Sequence, residues 1–443
     1  MTALLFLSSV LCIIGSITPV STLPPTDPPL IPGHPFVAIW NAPTDKCQQL
    51  HIPLDTAAFQ AVTTPDLVPG QFLTIFYKER LGLYPAVDTD KHITHLGGVP
   101  QKGNLTEHLA KAKGQIDYYI SQEPSPGLAV IDWESWRPLW DLNWGSKRIY
   151  QKLSIARAIE MVPFLTMNKI QKFAKSHFQD AARRFMERTL SLGIGERPSC
   201  LWGFYLFPEC YNYNWRKSDY TGKCSAKTQK KNNQLLWLWD RSTALFPSIY
   251  LNLDLRDSPK ATLFVRNRVQ EAVRVAKLPT HPYTAPIYVY SRPLYRNQTQ
   301  FYSKTDLVST IGESAALGAS GIVMWGASKD FNNKETCQSL SKHLESTLNP
   351  YIANVTAAAM LCSEVLCQGM GRCVRKNYDS AHYLHLSPAH FSIKKAEGKY
   401  VAVGLPSADD LDAWAGNFTC QCYRGSSCSP KLLRPTAVRR IWV

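Results

Sequence analysis

The chain lacks the short signatures that mark most enzyme classes. It contains no G-x-x-x-x-G-K-[ST], no H-E-x-x-H, no G-x-S-x-G and no C-x-x-C pair. These absences remove the phosphate-cradling loop, the zinc-protease helix, the nucleophile elbow and the paired-cysteine zinc site from consideration. Charge is also sparse: 19% of the 443 residues are charged against 45% hydrophobic, a globular balance that excludes a disordered or coiled-coil chain. Acidic side chains are the scarcer sign, 34 Asp+Glu against 49 Lys+Arg, a formal net charge of +15. That excess suits a polyanionic partner: nucleic acid, an anionic membrane or an acidic polysaccharide.

Charge is missing altogether from residues 1–26, and Leu4 to Ile17 are mostly apolar. Residues 1–22 read as a secretory signal peptide without its usual basic start, too short in its apolar run to span a membrane. No second long apolar run is expected. The C-terminus carries a basic stretch, Lys431 to Arg440, in place of a lipid-anchor signal. The expected location is the secretory pathway, extracellular or lysosomal, with no transmembrane segment or lipid anchor and no nucleic-acid partner. Four sequons agree with export: Asn104, Asn297, Asn354 and Asn417 each open an N-x-[ST] triplet. Twelve cysteines are more than a cytosolic enzyme usually carries.

Short apolar runs recur at Phe36–Trp40, Phe72–Tyr77, Leu128–Glu134, Gly203–Phe207, Ser248–Leu253, Pro286–Tyr290 and Gly321–Gly326. Their length and their Val, Ile, Phe and Tyr content read as buried strands. Helical patterns lie between them. In 169–192, Ile170, Ala174, Phe178, Ala181 and Phe185 share one face, and Gly193 offers a stop. The alternation predicts an α/β protein built on a (β/α) barrel over residues 23–350. Seven runs fit strands where a regular barrel has eight, so the barrel is irregular or one strand is hidden. The basic run Lys227, Lys230 and Lys231 reads as a solvated loop.

Residues 351–430 differ in character. Cys362, Cys367, Cys373, Cys420, Cys422 and Cys428 are spaced like an EGF-like module with 46 extra residues between Cys373 and Cys420. Spacing alone permits about 15 pairings. Residues 431–443 read as a basic tail.

The strand ends carry polar or aromatic side chains: Asn41, Tyr77, Asp132 with Glu134, Tyr205, Tyr250, Tyr290 and Trp325. In a barrel these ends converge on one mouth, the usual place for an active site. The stretch Gly127-Leu-Ala-Val-Ile-Asp-Trp-Glu-Ser-Trp-Arg-Pro138 is the most informative. Residues two apart on a strand face the same side, which sets Asp132 and Glu134 next to each other. Burial and mutual repulsion then raise the pKa of one, so the pair holds a proton near neutrality, as a general acid must.

This stretch, with Phe36–Cys47, Trp202–Tyr213 and Ala316–Trp325, resembles the hyaluronidase family of glycoside hydrolases over residues 34–430. The resemblance implies a distorted TIM-like barrel followed by an EGF-like module. It implies a monomeric endo-β-N-acetylhexosaminidase that cleaves hyaluronan without metal or other cofactor. Glu134 is the expected acid/base. Asp132 is expected to orient the substrate's acetamido group, which itself attacks C1. Tyr205 and Tyr250 are expected to contact the acetamido group, Trp325 to wall its methyl, and Tyr77 and Tyr290 to line neighbouring subsites. Asn41 should support the carboxylates, and Arg268 should meet a glucuronate carboxylate. The implied disulfides are Cys47–Cys337, Cys210–Cys224, Cys362–Cys373, Cys367–Cys420 and Cys422–Cys428, with Cys200 left over. The alternatives are a chondroitin-preferring hydrolase and a non-catalytic hyaluronan-binding or adhesion protein.

Overall fold

In the computed structural model, residues 23–64, 68–91, 93–121 and 126–443 are described. The signal-peptide reading of residues 1–22 lies outside them. Parallel strands form the barrel: β1 (Val37–Asn41), β2 (Ala61–Val62), β3 (Leu73–Tyr77), then, past a short hairpin of β4 (Ala86–Asp88) and β5 (Ile93–His95), β6 (Gly127–Asp132), β7 (Cys200–Phe204), β8 (Tyr288–Ser291) and β9 (Gly321–Trp325). The pairings β2-β1-β9-β8 and β3-β6-β7 give two arcs. Residues 244–250 join the second arc to the first through the bridges Tyr205–Phe246, Leu245–Ile287 and Ser248–Tyr290. The strand expected at Ser248–Leu253 therefore exists as a stave shifted toward the N-terminus. Pro247 within it has no N–H to donate, which interrupts the ladder.

The stave that the sequence reading missed is β2. It has two residues, too few for a period-two pattern to be legible, and it pairs in parallel with β1 at Ile39–Ala61 and Trp40–Val62. No ladder joins β2 to β3 among the described residues. The barrel is thus irregular and also has a further strand.

The strands are apolar on both faces because both faces are covered. Alternate residues separate into two clusters. Val37, Ile39, Leu73, Ile75, Leu128, Val130, Phe246 and Val323 fill the barrel interior. Ala38, Trp40, Phe76, Ala129, Ile131, Trp202 and Met324 face the surrounding helices. The long helix Met167–Glu196 buries Ile170, Ala174, Phe178, Ala181 and Phe185, as its pattern predicts. Gly193 does not stop it. This glycine lies inside the helix, where a Cβ would come within 2.6 Å of the Trp202 ring, so its role is close helix–strand packing. Lys227, Lys230 and Lys231 lie on the helix Ala226–Gln234 rather than in a loop, and Lys231 reaches Asp141 at 3.1 Å.

A continuous helical run, Lys334–Cys367, crosses residue 350 and is shared by the barrel and the cysteine-rich part. It is long and apolar enough to span a membrane by length and composition, contrary to the expectation of no second apolar run. Most of it is buried within the protein, the setting of a core helix. Beyond it, β10 (Gly371–Arg375) pairs antiparallel with β13 (Phe418–Cys422). The insertion between them supplies β11 (Phe391–Ala396), β12 (Lys399–Gly404) and the helix Ala408–Asn417. β14 (Arg439–Trp442), within the stretch read as a tail, adds to β12. All five implied disulfides are formed. Cys200 is buried outside any disulfide, and burial pushes its thiol up to about 11.

Candidate active site

The C-terminal strand ends open into a cleft of about 630 Å³. Asp132, Glu134, Tyr205, Tyr250, Arg268, Tyr290 and Trp325 all line it, so seven of the expected residues meet in one place. β6 ends at Asp132, which pairs with Tyr77 across the ladder to β3. Alternation continues past the strand end. Trp133 turns outward to pack on Tyr84, His108 and Phe204, while its two neighbours face the cleft.

The two carboxyls sit in different settings. Glu134 has a side chain about half exposed, with Arg137 Nη2 at 3.5 Å. Asp132 is set deeper, and its Oδ1 is buried with no hydrogen-bond partner among the described residues. Burial first, then the charge of Glu134, push the Asp132 carboxyl up to about 8, against a smaller downward pull from Arg137. The pair thus keeps one proton through neutral pH. The loop carrying Glu134 is pinned through its backbone: Arg137 Nη1 donates to the Glu134 carbonyl at 3.2 Å, and Lys147 Nζ donates to the carbonyls of Glu134 and Ser135. Burial lowers the Lys147 ammonium to about 8.

Aromatic rings wall the cleft. Tyr250 stacks on Trp325 with centroids 5.8 Å apart and planes 12° off parallel. Tyr205 lies edge-on to Tyr290 at 5.0 Å and donates a long bond to Ser248 Oγ at 3.4 Å. Tyr290 is fully buried with no partner for its hydroxyl among the described residues. Burial drives the phenols of Tyr205, Tyr250 and Tyr290 well above the usual range, so all three stay protonated.

Tyr77 and Asn41 also lie at strand ends, Tyr77 opposite Asp132 and Asn41 opposite Trp325. Neither is among the residues that line the cleft. Tyr77 accepts a bond from Trp325 Nε1 at 3.2 Å and so steadies that ring. Asn41 gives its amide to Thr63 Oγ1 at 2.8 Å and bonds neither carboxylate. Arg268 lies on the cleft wall but only 4% exposed, and its charge is already matched. Glu209 stands 2.6 Å away, Asn212 accepts from Nε, and the Ser248 carbonyl accepts from Nη1. It is therefore not an unpaired cation waiting for an acid.

Several cleft residues escaped the sequence reading. Arg137 lies inside the informative motif, and Glu209, Tyr211 and Tyr213 lie inside another, but their pairings come from the fold. Lys147, Arg292, Arg296 and Lys329 carried no signal beyond being basic. Among the described residues, no group of three or more His, Cys, Asp or Glu is placed to hold a metal ion. A protonated acid beside a carboxylate, under aromatic walls, can protonate a leaving oxygen and later take a proton from water.

A barrel with paired carboxyls and an aromatic cleft at its strand ends is the arrangement of a glycoside hydrolase, and comparison with known proteins agrees. The hyaluronidase family profile matches residues 25–432. Hyaluronidase PH-20 of Macaca fascicularis is 45% identical over 408 residues, covering 91% of this chain and 80% of that protein. Hyaluronidase-1 of Bitis arietans is 44% identical over 409 residues, covering 90% and 91%. The crystal structure of bee venom hyaluronidase superposes with a TM-score of 0.63 at 31% identity, covering 72% of this chain and 99% of that one. A second structure of the bee enzyme, in complex with a hyaluronic acid tetramer, gives 0.64 at 30% identity and covers 72% and 98%. The chain belongs to the hyaluronidase family of glycoside hydrolases.

Proposed function

We propose that this chain hydrolyses the β-1,4 linkages of hyaluronan from within the polymer, with net retention and with the substrate's own acetamido group as nucleophile. The one proton that the pair holds passes from Asp132 to Glu134 in the bound complex, and Glu134 gives it to the glycosidic oxygen as the acetamido carbonyl oxygen attacks C1 and the linkage breaks. Water then attacks C1 and gives a proton to Glu134, which restores the acid. This belongs with the substrate-assisted exceptions among glycosidases, which need no carboxylate on the opposite sugar face. Asp132 orients the acetamido group and shares the proton. Tyr205 and Tyr250 contact that group, and Trp325 walls its methyl. Tyr77 and Tyr290 line neighbouring subsites, and Asn41, bonded to Thr63, supports the site from the end of β1. Arg268, already matched by Glu209, orders Tyr213 and the Ser248 backbone instead of binding a glucuronate directly.

The observation that carries this reading is the inequality of the two carboxyls: a deep, protonated Asp132 beside an accessible Glu134. The bee enzyme's complex with a hyaluronic acid tetramer supports the choice of polymer. The five disulfides suit an oxidising compartment, so we place the enzyme in the secretory pathway or outside the cell. The test is product analysis on hyaluronan and chondroitin side by side, from acidic to neutral pH. Saturated, even-numbered hyaluronan oligosaccharides with a β-configured new reducing end are expected. Unsaturated ends, inversion at C1, or cleavage of chondroitin alone would overturn the proposal.

A further inference from the structure

The side of the cleft that follows the neighbouring strands β8 and β9 carries unmatched positive charge. Arg137, Arg268 and Arg292 are ion-paired with Glu134, Glu209 and Asp330. Arg296 and Lys329, on the loops after β8 and β9, are exposed, and among the described residues neither is ion-paired. Asn297, next to Arg296 in the chain, also lines the cleft. It sits in a tight turn closed by Tyr295 N–H to the Gln300 carbonyl and by the Leu294–Phe301 bridge. Its φ is +59°, a left-handed conformation that Asn tolerates better than most residues. The triplet Asn297-Gln-Thr299 is a sequon.

The four sequons differ in setting. Asn104 caps a helix, Asn354 exchanges two bonds with the Leu386 backbone, and Asn417 bonds the Ala413 carbonyl. The Asn297 side chain is exposed and has no hydrogen-bond partner among the described residues. It is also the only one of the four that lines the cleft.

We propose that Asn297 carries an N-linked glycan that stands at this side of the cleft and limits how far an anionic polymer extends over Arg296 and Lys329. The donor is a lipid-linked oligosaccharide of the secretory pathway. The Asn297 amide nitrogen bonds to C1 of the donor's first sugar and loses one proton, while the sugar–phosphate bond breaks and releases the lipid pyrophosphate. A bulky, hydrated chain at the tip of this turn cannot share the space above the two cations with a second saccharide. Polymer that must pass this side is held less well, whereas a short oligosaccharide seated at the carboxyls is untouched. The idea rests on the proposed hyaluronan cleavage.

The experiment uses enzyme secreted from glycosylating cells. Glycopeptide mapping reads occupancy of Asn297. Thr299→Ala removes the sequon but keeps Asn297, and Thr299→Ser keeps the sequon. Each form is assayed on long hyaluronan and on a hyaluronan hexasaccharide. Occupied Asn297 is expected, with a several-fold rise in the polymer-to-hexasaccharide ratio of kcat/KM for Thr299→Ala and the wild-type ratio for Thr299→Ser. An unoccupied site, or the same ratio in all three forms, would overturn the inference. If no form cleaves hyaluronan, the functional reading fails with it, and occupancy measured by mapping shows separately whether the modification exists.

Discussion

At Glu134 the competing demands are exposure and control. The side chain must reach a polymer, yet Arg137 and Lys147 fix the backbone beneath it. Glu134→Gln keeps that scaffold and removes the group that delivers the pair's proton. Turnover should fall by about 10²–10⁴-fold, the usual contribution of a general acid, with polymer binding retained in a sedimentation or gel-shift assay. Asp132 makes a second test through pH. Its carboxyl is raised from the ordinary 3.8 to about 8, so between these values the unfolded chain has released a proton that the folded chain keeps. The unfolded state binds fewer protons there, and stability must fall as pH rises through that window. Asp132→Asn should remove this penalty while severely impairing turnover. Its Tm advantage over wild type should be small near pH 4 and grow toward pH 8, as read by thermal melts across pH. A pH-independent difference in Tm would show that Asp132 is not held protonated. Turnover by the wild type should decline above about pH 8, where the pair loses its last proton.

At the scale of elements, the cysteine-rich part is joined to the barrel by buried charge. Glu313, fully buried, pairs with Arg266 of the helix Pro259–Ala276 at 2.7 Å and with Arg375 of β10. Arg372 of β10 also reaches Ser320 Oγ at 2.6 Å, just before β9. Removing the one acid leaves two buried guanidinium groups without their partner. Glu313→Ala should cost about 3–5 kcal/mol in denaturant unfolding. Because none of these residues lines the cleft, the kcat/KM of the folded fraction should stay near wild type. Loss of activity without loss of stability would mean that the clamp shapes the cleft. The irregular staves belong to the same scale: Pro247 breaks one ladder and β2 has only two residues.

For the whole molecule, the +15 formal charge acts mainly through the cations that remain unmatched near the polymer's path. Screening shortens to about 10 Å at 0.1 M salt, so Arg296 and Lys329, uncovered when Thr299→Ala removes the Asn297 glycan, should lose much of their pull as salt rises, while ion pairs such as Arg268–Glu209 should not. In Thr299→Ala, KM for long hyaluronan should rise with ionic strength more steeply than in the glycosylated wild type and kcat should change little, measured by initial rates over a salt series. A kcat that falls with constant KM would place the salt effect at the carboxyl pair instead.

The amino-acid sequence alone determined the strand alternation, the Asp132–Glu134 juxtaposition and, through family resemblance, the disulfide partners, because each is written in short local patterns. Only the tertiary structure decided that Asp132 carries the proton, that Glu209 already neutralises Arg268, that Gly193 packs a helix on Trp202, and that Asn297 stands at the cleft. Those outcomes depend on burial and on charges brought together from distant parts of the chain. A pKa, a neutralised cation or a crowded glycine is a property of what surrounds the residue, and no spacing along the sequence records it.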